Sequence, residues 1–262
     1  MKIAVAIKQV PLRDSPLRIN ASGTWIEENN LSFEINEPDA YALEEALQLR
    51  EKHGGEVIVI SAGPARVSQT LREALAKGAD RGIHIETSSI ETASLDTLGV
   101  ARLLEGALKN ESPDLILTGL QSDDLGYGQT GVILAELLGL PHSTIIMQVQ
   151  VINDVQPGKV RVKRELEDGW FQHIEMPLPA VLTIQSGLNK LRYATLMGIK
   201  KAKSKEIKVI AAADLDAPPP HSVATEKIYA PEKSKQGQIF DGDARSAAAK
   251  LVDKLRFEAR VI

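Results

Sequence analysis

Residues 39 to 60, DAYALEEALQLREKHGGEVIVI, decide the predicted fold. The apolar positions between Asp39 and Arg50 recur with the spacing of an amphipathic helix. Gly54 and Gly55 predict where that helix stops, and the apolar run from Val57 to Ile60 is typical of a buried strand. A helix followed directly by a buried strand is the repeating unit of an α/β domain.

The same alternation extends in both directions along the chain. Further buried strands are predicted at residues 3–7, 83–85 and 115–117, and further helices at 67–76 and 95–108. Alternation over about the first 150 residues predicts a mostly parallel sheet with helices on both faces. This is the adenine-nucleotide-binding, Rossmann-like class of α/β fold.

Beyond Pro141 the pattern changes. Strands are predicted at 145–151, 160–164 and 180–184, with a turn at 153–158. Three consecutive prolines at 218–220 favour an extended linker, and a last helix is predicted at 244–257. We therefore expect a core of residues 1–209 and an extended C-terminal arm of residues 210–262, which would dock on its own core or on a partner.

The composition narrows the possible functions. The 262 residues are 43% hydrophobic and 25% charged with a net charge of −4, so a globular chain is expected and nucleic acid is not an expected partner. The absence of cysteine excludes disulfides, thiolate zinc sites and cysteine-bound iron–sulfur clusters within this chain. Only 4% of residues are aromatic, so a redox group would be held largely elsewhere. The apolar run after Met1-Lys2 is too short for a signal peptide or a membrane span, which predicts a cytoplasmic protein without direct membrane insertion.

Three loops follow predicted strands or precede helices where parallel sheets bind ligands: residues 35–38, 61–65 and 119–131. The third contains a G-x-G-x-x-G pattern, formed by Gly126, Gly128 and Gly131. Eight residues separate it from Leu117, so it is a weak dinucleotide fingerprint. Gln129, Thr130 and Gly131 could instead open a helix that cradles a phosphate, and a purely structural glycine-rich loop is the alternative.

Catalytic machinery is not recognisable in the sequence. Asp123 and Asp124 could act in general acid–base catalysis, bind Mg²⁺, or cap the loop. The five histidines are scattered without metal-ligand spacing, so no metal site is expected. The lysines between Lys200 and Lys208 fit a solvated helix, or a basic face for nucleic acid or an acidic protein.

Further short motifs occur in a fixed order along the chain. They are the run from Ile3 to Pro11, Asn36, Ser61 to Pro64, Gly78 to Asp80, the 119–131 loop, Val162 to Gly169, Leu178 to Thr183 and Asn189 to Leu196. Taken in this order and spacing, over nearly the whole chain, they resemble the beta subunit of electron-transfer flavoproteins.

The resemblance implies a heterodimer in which an alpha subunit holds most of the redox FAD and this chain binds a structural AMP. It implies an electron carrier subunit without catalytic residues of its own. The positions that match AMP contacts in the family are Ala6, Asn36, Ala62, Asp123, Gly126, Gly128, Gln129, Thr130 and Gly131.

The resemblance also implies transient partners. Residues 192–201 match the loop that docks acyl-CoA or related dehydrogenases, with Leu196 as the apolar anchor; the candidate contacts are Arg192, Tyr193, Leu196, Ile199 and Lys201. Electrons would pass on to the membrane's electron-transfer flavoprotein quinone oxidoreductase, as in fatty acid beta-oxidation. Glu165 matches an acid implicated in the motion of the flavin domain.

Several departures and alternatives remain open. Leu191 stands where the family often has proline, and Leu125, Gly126 and Gly128 replace more polar residues. Some relatives bind a second FAD in place of AMP and bifurcate electrons from NADH, although Gln129 to Gly131 resembles the AMP-binding group. An adenine-nucleotide-dependent hydrolase or ligase is expected to have a Ser-Gly-Gly type pyrophosphate loop after the first strand, where this chain has Lys8 to Pro11. A homodimeric nucleotide sensor would leave the long arm unexplained.

Overall fold

The computed structural model describes residues 1–88, 90, 95–152, 158–215, 223–231 and 237–262. The chain divides into two compact units, Met1–Ile228 and Tyr229–Ile262. Nearly all of the predicted turn at 153–158 and the whole predicted proline linker at 218–220 lie outside the described residues.

The first unit contains a nine-stranded sheet in the order β11-β5-β4-β1-β6-β10-β7-β8-β9. Its strands are β1 Lys2–Ala6, β4 Glu56–Gly63, β5 Arg81–Glu86, β6 Leu115–Gly119, β7 His142–Ile152, β8 Lys159–Glu165, β9 Phe171–Pro177, β10 Ala180–Ile184 and β11 Ile207–Ala211. Pairing is parallel from β11 through β7 and antiparallel from β7 to β9. A separate antiparallel ribbon joins β2 Gln9–Pro11 to β3 Phe33–Ile35. The predicted, mostly parallel α/β fold is confirmed.

Helices cover both faces of the sheet. They are α1 Glu37–His53, α2 Val67–Lys77, α3 Thr97–Leu108, α4 Thr130–Leu138 and α5 Leu196–Ala202. Alternate strand residues such as Val5 and Val59 pack in one core with α1 and α2, while Ala4 and Ile58 pack in a second core with α3 and α4. This division follows from the two-residue period of a strand, and it gives the sheet two distinct faces.

Helix α1 forms where the opening stretch predicts it. Pro38 occupies its first turn, where a missing amide costs no hydrogen bond, and acidic residues there favour the positive end of the helix dipole. Gly54, with φ of 72°, ends the helix as predicted.

Four strands were not expected from the sequence: β2 and β3, which form the separate ribbon, and β9 and β11. β9 is an edge strand with most of its side chains exposed, and β11 is a lysine-containing edge strand. The prediction of one helix across Lys200 to Lys208 is wrong beyond Ala202, because Ile207 packs beside Gly82 of β5 and the following residues pair with that strand. The predicted boundary at 209/210 falls inside β11.

The second unit contains α6 Ala244–Asp253, continued by a π-helical turn at Lys254–Glu258. Asp243 caps α6 by accepting a hydrogen bond from the Ser246 amide at 3.0 Å. The predicted terminal helix is confirmed.

Candidate functional site

Small side chains line one face of the sheet at its carboxyl edge. Ala6 and Ala62 follow larger residues of the α3/α4 core at the ends of β1 and β4. Helix α3 packs on β4 and β5, whereas α4 packs on β6, β7 and β10. Ala6 on β1 therefore lies between the strands that α3 covers and those that α4 covers, at the edge where parallel sheets bind ligands.

The start of α4 lies against two threonines of the sheet. A Cβ on Gly131 would come within 2.6 Å of Thr118 Oγ1 and 2.7 Å of Thr183 Cγ2, so only glycine fits there. Thr183 Oγ1 is buried without a hydrogen-bond partner among the described residues. A buried hydroxyl without a partner, on a residue that packs against a helix start, is one that a ligand or water could satisfy.

The first turn of α4 suits an anion. Its leading amides have no partner within the helix, and Gln129 makes no side-chain capping bond within the described part of the chain. The Gln129 amide oxygen instead accepts a hydrogen bond from Thr97 Oγ1 at 3.1 Å, which ties the start of α4 to the start of α3. Free amides at a helix start favour a phosphate.

Asn36 holds the loop that leads to α4. Its Nδ2 donates to the Gln121 carbonyl and its Oδ1 accepts from the Asp123 amide, both at 2.9 Å. The loop then turns through Gly126 and Gly128, with φ of 66° and 62°, which is the left-handed region that glycine adopts readily. Asn36 is thus a structural organiser of the loop, in addition to its predicted place at the ligand.

Both loop aspartates accept hydrogen bonds from other groups of the protein. Asp124 accepts from Lys8 Nζ at 2.6 Å and from the Leu125 amide at 2.8 Å. Burial opposes the charged form of Asp124, but the Lys8 ammonium and the hydrogen bonds from Ser122 and the Leu125 amide together outweigh it and leave the pKa lowered. Asp123 accepts from the Glu37 amide at 3.3 Å. These contacts support the loop-capping interpretation of the pair over Mg²⁺ binding.

A buried acid that the sequence interpretation missed lies beneath this loop. Asp39 of α1 accepts hydrogen bonds from the Gly119 amide at 2.7 Å and the Lys8 amide at 2.8 Å. Burial raises the pKa of Asp39 to about 7. The sequence signal that could have revealed this residue is an acid at a buried position of α1, three residues after Asn36.

The structure brings all nine predicted nucleotide-contacting residues to the carboxyl edge of the parallel strands. Ala6 ends β1, Ala62 is the second-last residue of β4, and Asn36 and Asp123 are joined by a hydrogen bond. Residues 126–129 lead into α4, which begins with Thr130 and Gly131. The site comprises parts of the chain more than 100 residues apart in sequence.

The predicted docking loop lies elsewhere, on the α1/α2 side of the sheet. Tyr193 is 92% exposed and Leu196 is 89% exposed, so the alternative that Leu196 is a core residue is wrong. Ile199 and Lys201 are also exposed on α5. Arg192 differs from its neighbours, because Glu44 and Glu51 of α1 bind its guanidinium. Both carboxylates raise the pKa of Arg192 further, Glu44 more than Glu51.

Glu165 ends β8 and pairs in register with Phe171 of β9. Leu166, Trp170 and Phe171 around this hairpin tip are exposed, and Lys163 Nζ lies 3.7 Å from the centre of the Phe171 ring. The tip is therefore a third surface, separate from the nucleotide edge and the docking loop.

Metal-binding clusters and membrane-spanning helices are both absent from the part of the chain that the structure describes. No group of three or more histidine or acidic side chains there could hold a metal ion. None of the helices in that part of the chain combines the length and apolar character needed to cross a membrane.

Known proteins match this chain throughout. Residues 23–215 match the model of the electron transfer flavoprotein domain. The "Electron transfer flavoprotein subunit beta" of Methylophilus methylotrophus is 38% identical over 96% of this chain and 97% of its own length. The "Electron transfer flavoprotein subunit beta, mitochondrial" of Arabidopsis thaliana is 38% identical over the whole of both chains. The "Electron transfer flavoprotein subunit beta" of Homo sapiens is 40% identical over 82% of this chain and 83% of its own length. With a family model covering most of its length and beta subunits matching it from end to end, this chain belongs to the electron transfer flavoprotein family.

Proposed function

We propose that this chain, as an electron transfer flavoprotein beta subunit, binds one AMP at the carboxyl edge of its sheet and supports the FAD of an alpha subunit. The observation that carries the proposal is the start of α4, where free amides lie at a glycine that admits no side chain and that packs on Thr183, whose hydroxyl is unsatisfied among the described residues. The free amides at the start of α4 form an anion site, and the family context favours a nucleotide phosphate as the anion.

The residues present fit AMP. Backbone amides of Gln129, Thr130 and Gly131 would hold the phosphate, and no basic side chain is required there. Ala6 and Ala62 would leave space for the nucleoside, while Asn36 holds the loop closed around it. AMP would supply packing and charge complementarity to this edge of the sheet, and it would take no part in electron transfer.

The FAD would be held mainly by the alpha subunit. With few aromatic residues, this chain has little with which to stack an isoalloxazine ring. Residues 229–262 expose large apolar side chains, among them Ile239, Phe257 and Ile262, as expected of a segment that a partner covers. The heterodimer and the docking of the arm on the alpha subunit are parts of this proposal.

Docking would use the exposed loop. Leu196 and Tyr193 are presented to solvent and lie beside the lysines of α5, a pattern suited to a small apolar anchor with a basic rim. Ile199 and Lys201 extend this surface. Acyl-CoA or related dehydrogenases would dock here, and the electrons would leave for the quinone oxidoreductase by way of the alpha subunit's flavin. The chain would act as a carrier subunit without catalytic residues.

Glu165 is proposed to let the flavin domain of the alpha subunit swing between its docked and productive positions. Its place at an exposed hairpin tip supports this role, because an acid there can meet a mobile partner. The cytoplasmic location stays a prediction.

Nucleotide analysis tests the main proposal. We expect the chain co-expressed with its alpha subunit to purify as a yellow heterodimer that releases one FAD and one AMP on denaturation. Two FAD and no AMP would favour the electron-bifurcating alternative with NADH as donor. A colourless homodimer that turns over ATP would contradict the proposal and favour a nucleotide-dependent hydrolase or ligase.

A second experiment addresses docking. Leu196→Ala is expected to raise the KM for a reducing dehydrogenase about tenfold, equivalent to about 1.4 kcal/mol, without loss of either nucleotide. Val209→Ala is the matched control, since Val209 is an exposed aliphatic residue on the edge strand β11, outside residues 192–201. An equal effect of both variants would remove Leu196 from the docking surface.

A further inference from the structure

Arg192 is bound on all three guanidinium nitrogens by two carboxylates of α1. Its Nε and Nη2 donate to Glu44 at 2.7 and 3.0 Å, and its Nη1 and Nη2 donate to Glu51 at 2.6 and 3.2 Å. The Glu44 side chain is only 5% exposed. This is the two-pronged geometry in which arginine binds carboxylates most strongly.

A second contact joins the same loop to α1 three residues earlier. Asn189 Nδ2 donates to the Tyr41 carbonyl and to Glu45 Oε2, both at 3.2 Å. Asn189 and Arg192 therefore attach the entry of the loop to a single helix, at neighbouring turns of that helix.

The far end of the loop is attached to α2. Thr195 Oγ1 accepts from the Gly198 amide at 3.0 Å and caps α5, while Arg72 Nη1 donates to the Ala202 carbonyl at 2.7 Å. The exposed Tyr193 and Leu196 thus lie between one attachment to α1 and another to α2.

We propose that Arg192 is a positioning residue, which acts through Glu44 and Glu51 to hold the docking loop and does not itself contact the dehydrogenase. This inference rests on the proposed docking function and refines it. The charge of Arg192 is offset by two carboxylates, so the basic groups offered to a partner are those of α5, such as Lys200 and Lys201.

The energetics favour this assignment. To contact a partner, Arg192 would have to leave Glu44, and a buried carboxylate would then lose its counter-charge. Holding an anchor in place before binding lowers the cost of ordering it on binding, which strengthens docking without any new contact.

The test compares Arg192→Ala, Glu44→Gln, Glu51→Gln and the double variant Arg192→Ala/Glu44→Gln in the heterodimer with the alpha subunit. One readout is hydrogen exchange of the amides of residues 190–199. The other is steady-state kinetics with a purified acyl-CoA dehydrogenase that reduces the wild-type protein. Glu73→Gln is the matched control, because Glu73 forms an exposed ion pair on α2 with Lys77.

We expect Arg192→Ala and Glu44→Gln each to accelerate exchange in the loop and to raise the KM about five- to tenfold with kcat little changed. The double variant should be no worse than either single variant. Glu51→Gln, which removes the exposed partner, should show a smaller effect in the same direction, and Glu73→Gln should show none. FAD and AMP content should stay the same throughout.

Direct contact makes the opposite prediction. If Arg192→Ala raises the KM while Glu44→Gln and Glu51→Gln leave it unchanged or lower it, Arg192 touches the partner and the inference fails. The inference also fails if exchange in the loop is unaltered in all variants. Leu196→Ala distinguishes failure of the docking proposal from failure of this inference. An unchanged KM in that variant would refute docking at this loop, while the exchange data would still test whether α1 holds the loop in place.

Discussion

The carboxylate of Asp39 accepts a hydrogen bond from the backbone amide of Gly119 at 2.7 Å, which joins the first turn of α1 to the last residue of β6. The other carboxylate oxygen accepts from the Lys8 amide, just beyond β1, at 2.8 Å. A Cβ on Gly119 would lie 2.3 Å from Asp39 Oδ1, so the contact also requires a glycine. One buried acid therefore fixes the ends of two adjacent strands under the proposed nucleotide site.

Replacing this acid should destabilise the protein. In Asp39→Asn, one of the two backbone amides would face the side-chain NH₂ in place of an acceptor, which leaves a buried donor unpaired. We expect a loss of about 1–3 kcal/mol in the free energy of unfolding, measured by urea denaturation. Asp14→Asn, at an exposed position, is the control. Equal stability of the two variants would show that the Asp39 contacts contribute little.

Asp39 should also make stability depend on pH. Burial raises its pKa in the folded chain from 3.8 to about 7, so the folded state binds a proton that the unfolded state releases between these values. The contribution is fully present below pH 3.8 and is lost as pH rises through about 7. We expect the unfolding free energy of the wild type, minus that of Asp39→Asn, to fall as pH rises from 3.8 to about 7. Parallel pH profiles would contradict this assignment.

Gly131 should be essential for nucleotide binding. A methyl group in Gly131→Ala would meet Thr118 and Thr183 at under 3 Å, so the start of α4 would have to move away from the sheet. We expect the purified heterodimer to lose most of its AMP, as measured by chromatography after denaturation. Gly106→Ala on α3 is the control, because its added methyl would lie 3.5 Å from Leu215, an ordinary contact. Full AMP content in Gly131→Ala would refute the proposed phosphate position.

The sequence allowed the parallel part of the fold to be predicted because local signals agree there with tertiary structure. The amphipathic spacing of α1, the glycine at its end and the apolar run of β4 all mark the same βα unit. The ligand edge followed from topology, since loops at the carboxyl ends of parallel strands converge whatever their sequence.

Other features depend on contacts that no local pattern contains. Asp39 is a ligand for backbone amides because α1 packs on β1 and β6, and Arg192 meets Glu44 across 148 residues. The strand β11 was missed because Lys208 and the lysines before it favour solvent, yet its backbone pairs with β5. Arg72 and Lys205 secure the preceding turn. Burial in such cases is decided by the partner element and not by the residue's own hydropathy.

The packing of α5 on α2 yields the last prediction. A Cβ on Gly198 would lie 2.3 Å from the carbonyl oxygen of Ala76, so any side chain there forces the two helices apart. We expect Gly198→Ala to lower the free energy of unfolding by about 1–3 kcal/mol and to accelerate hydrogen exchange in residues 196–202. Lys200→Ala, at an exposed position on the same helix, should change neither. If Gly198→Ala matched this control, α5 would be free to shift without cost, and the loop that presents Leu196 would owe its position to α1 alone.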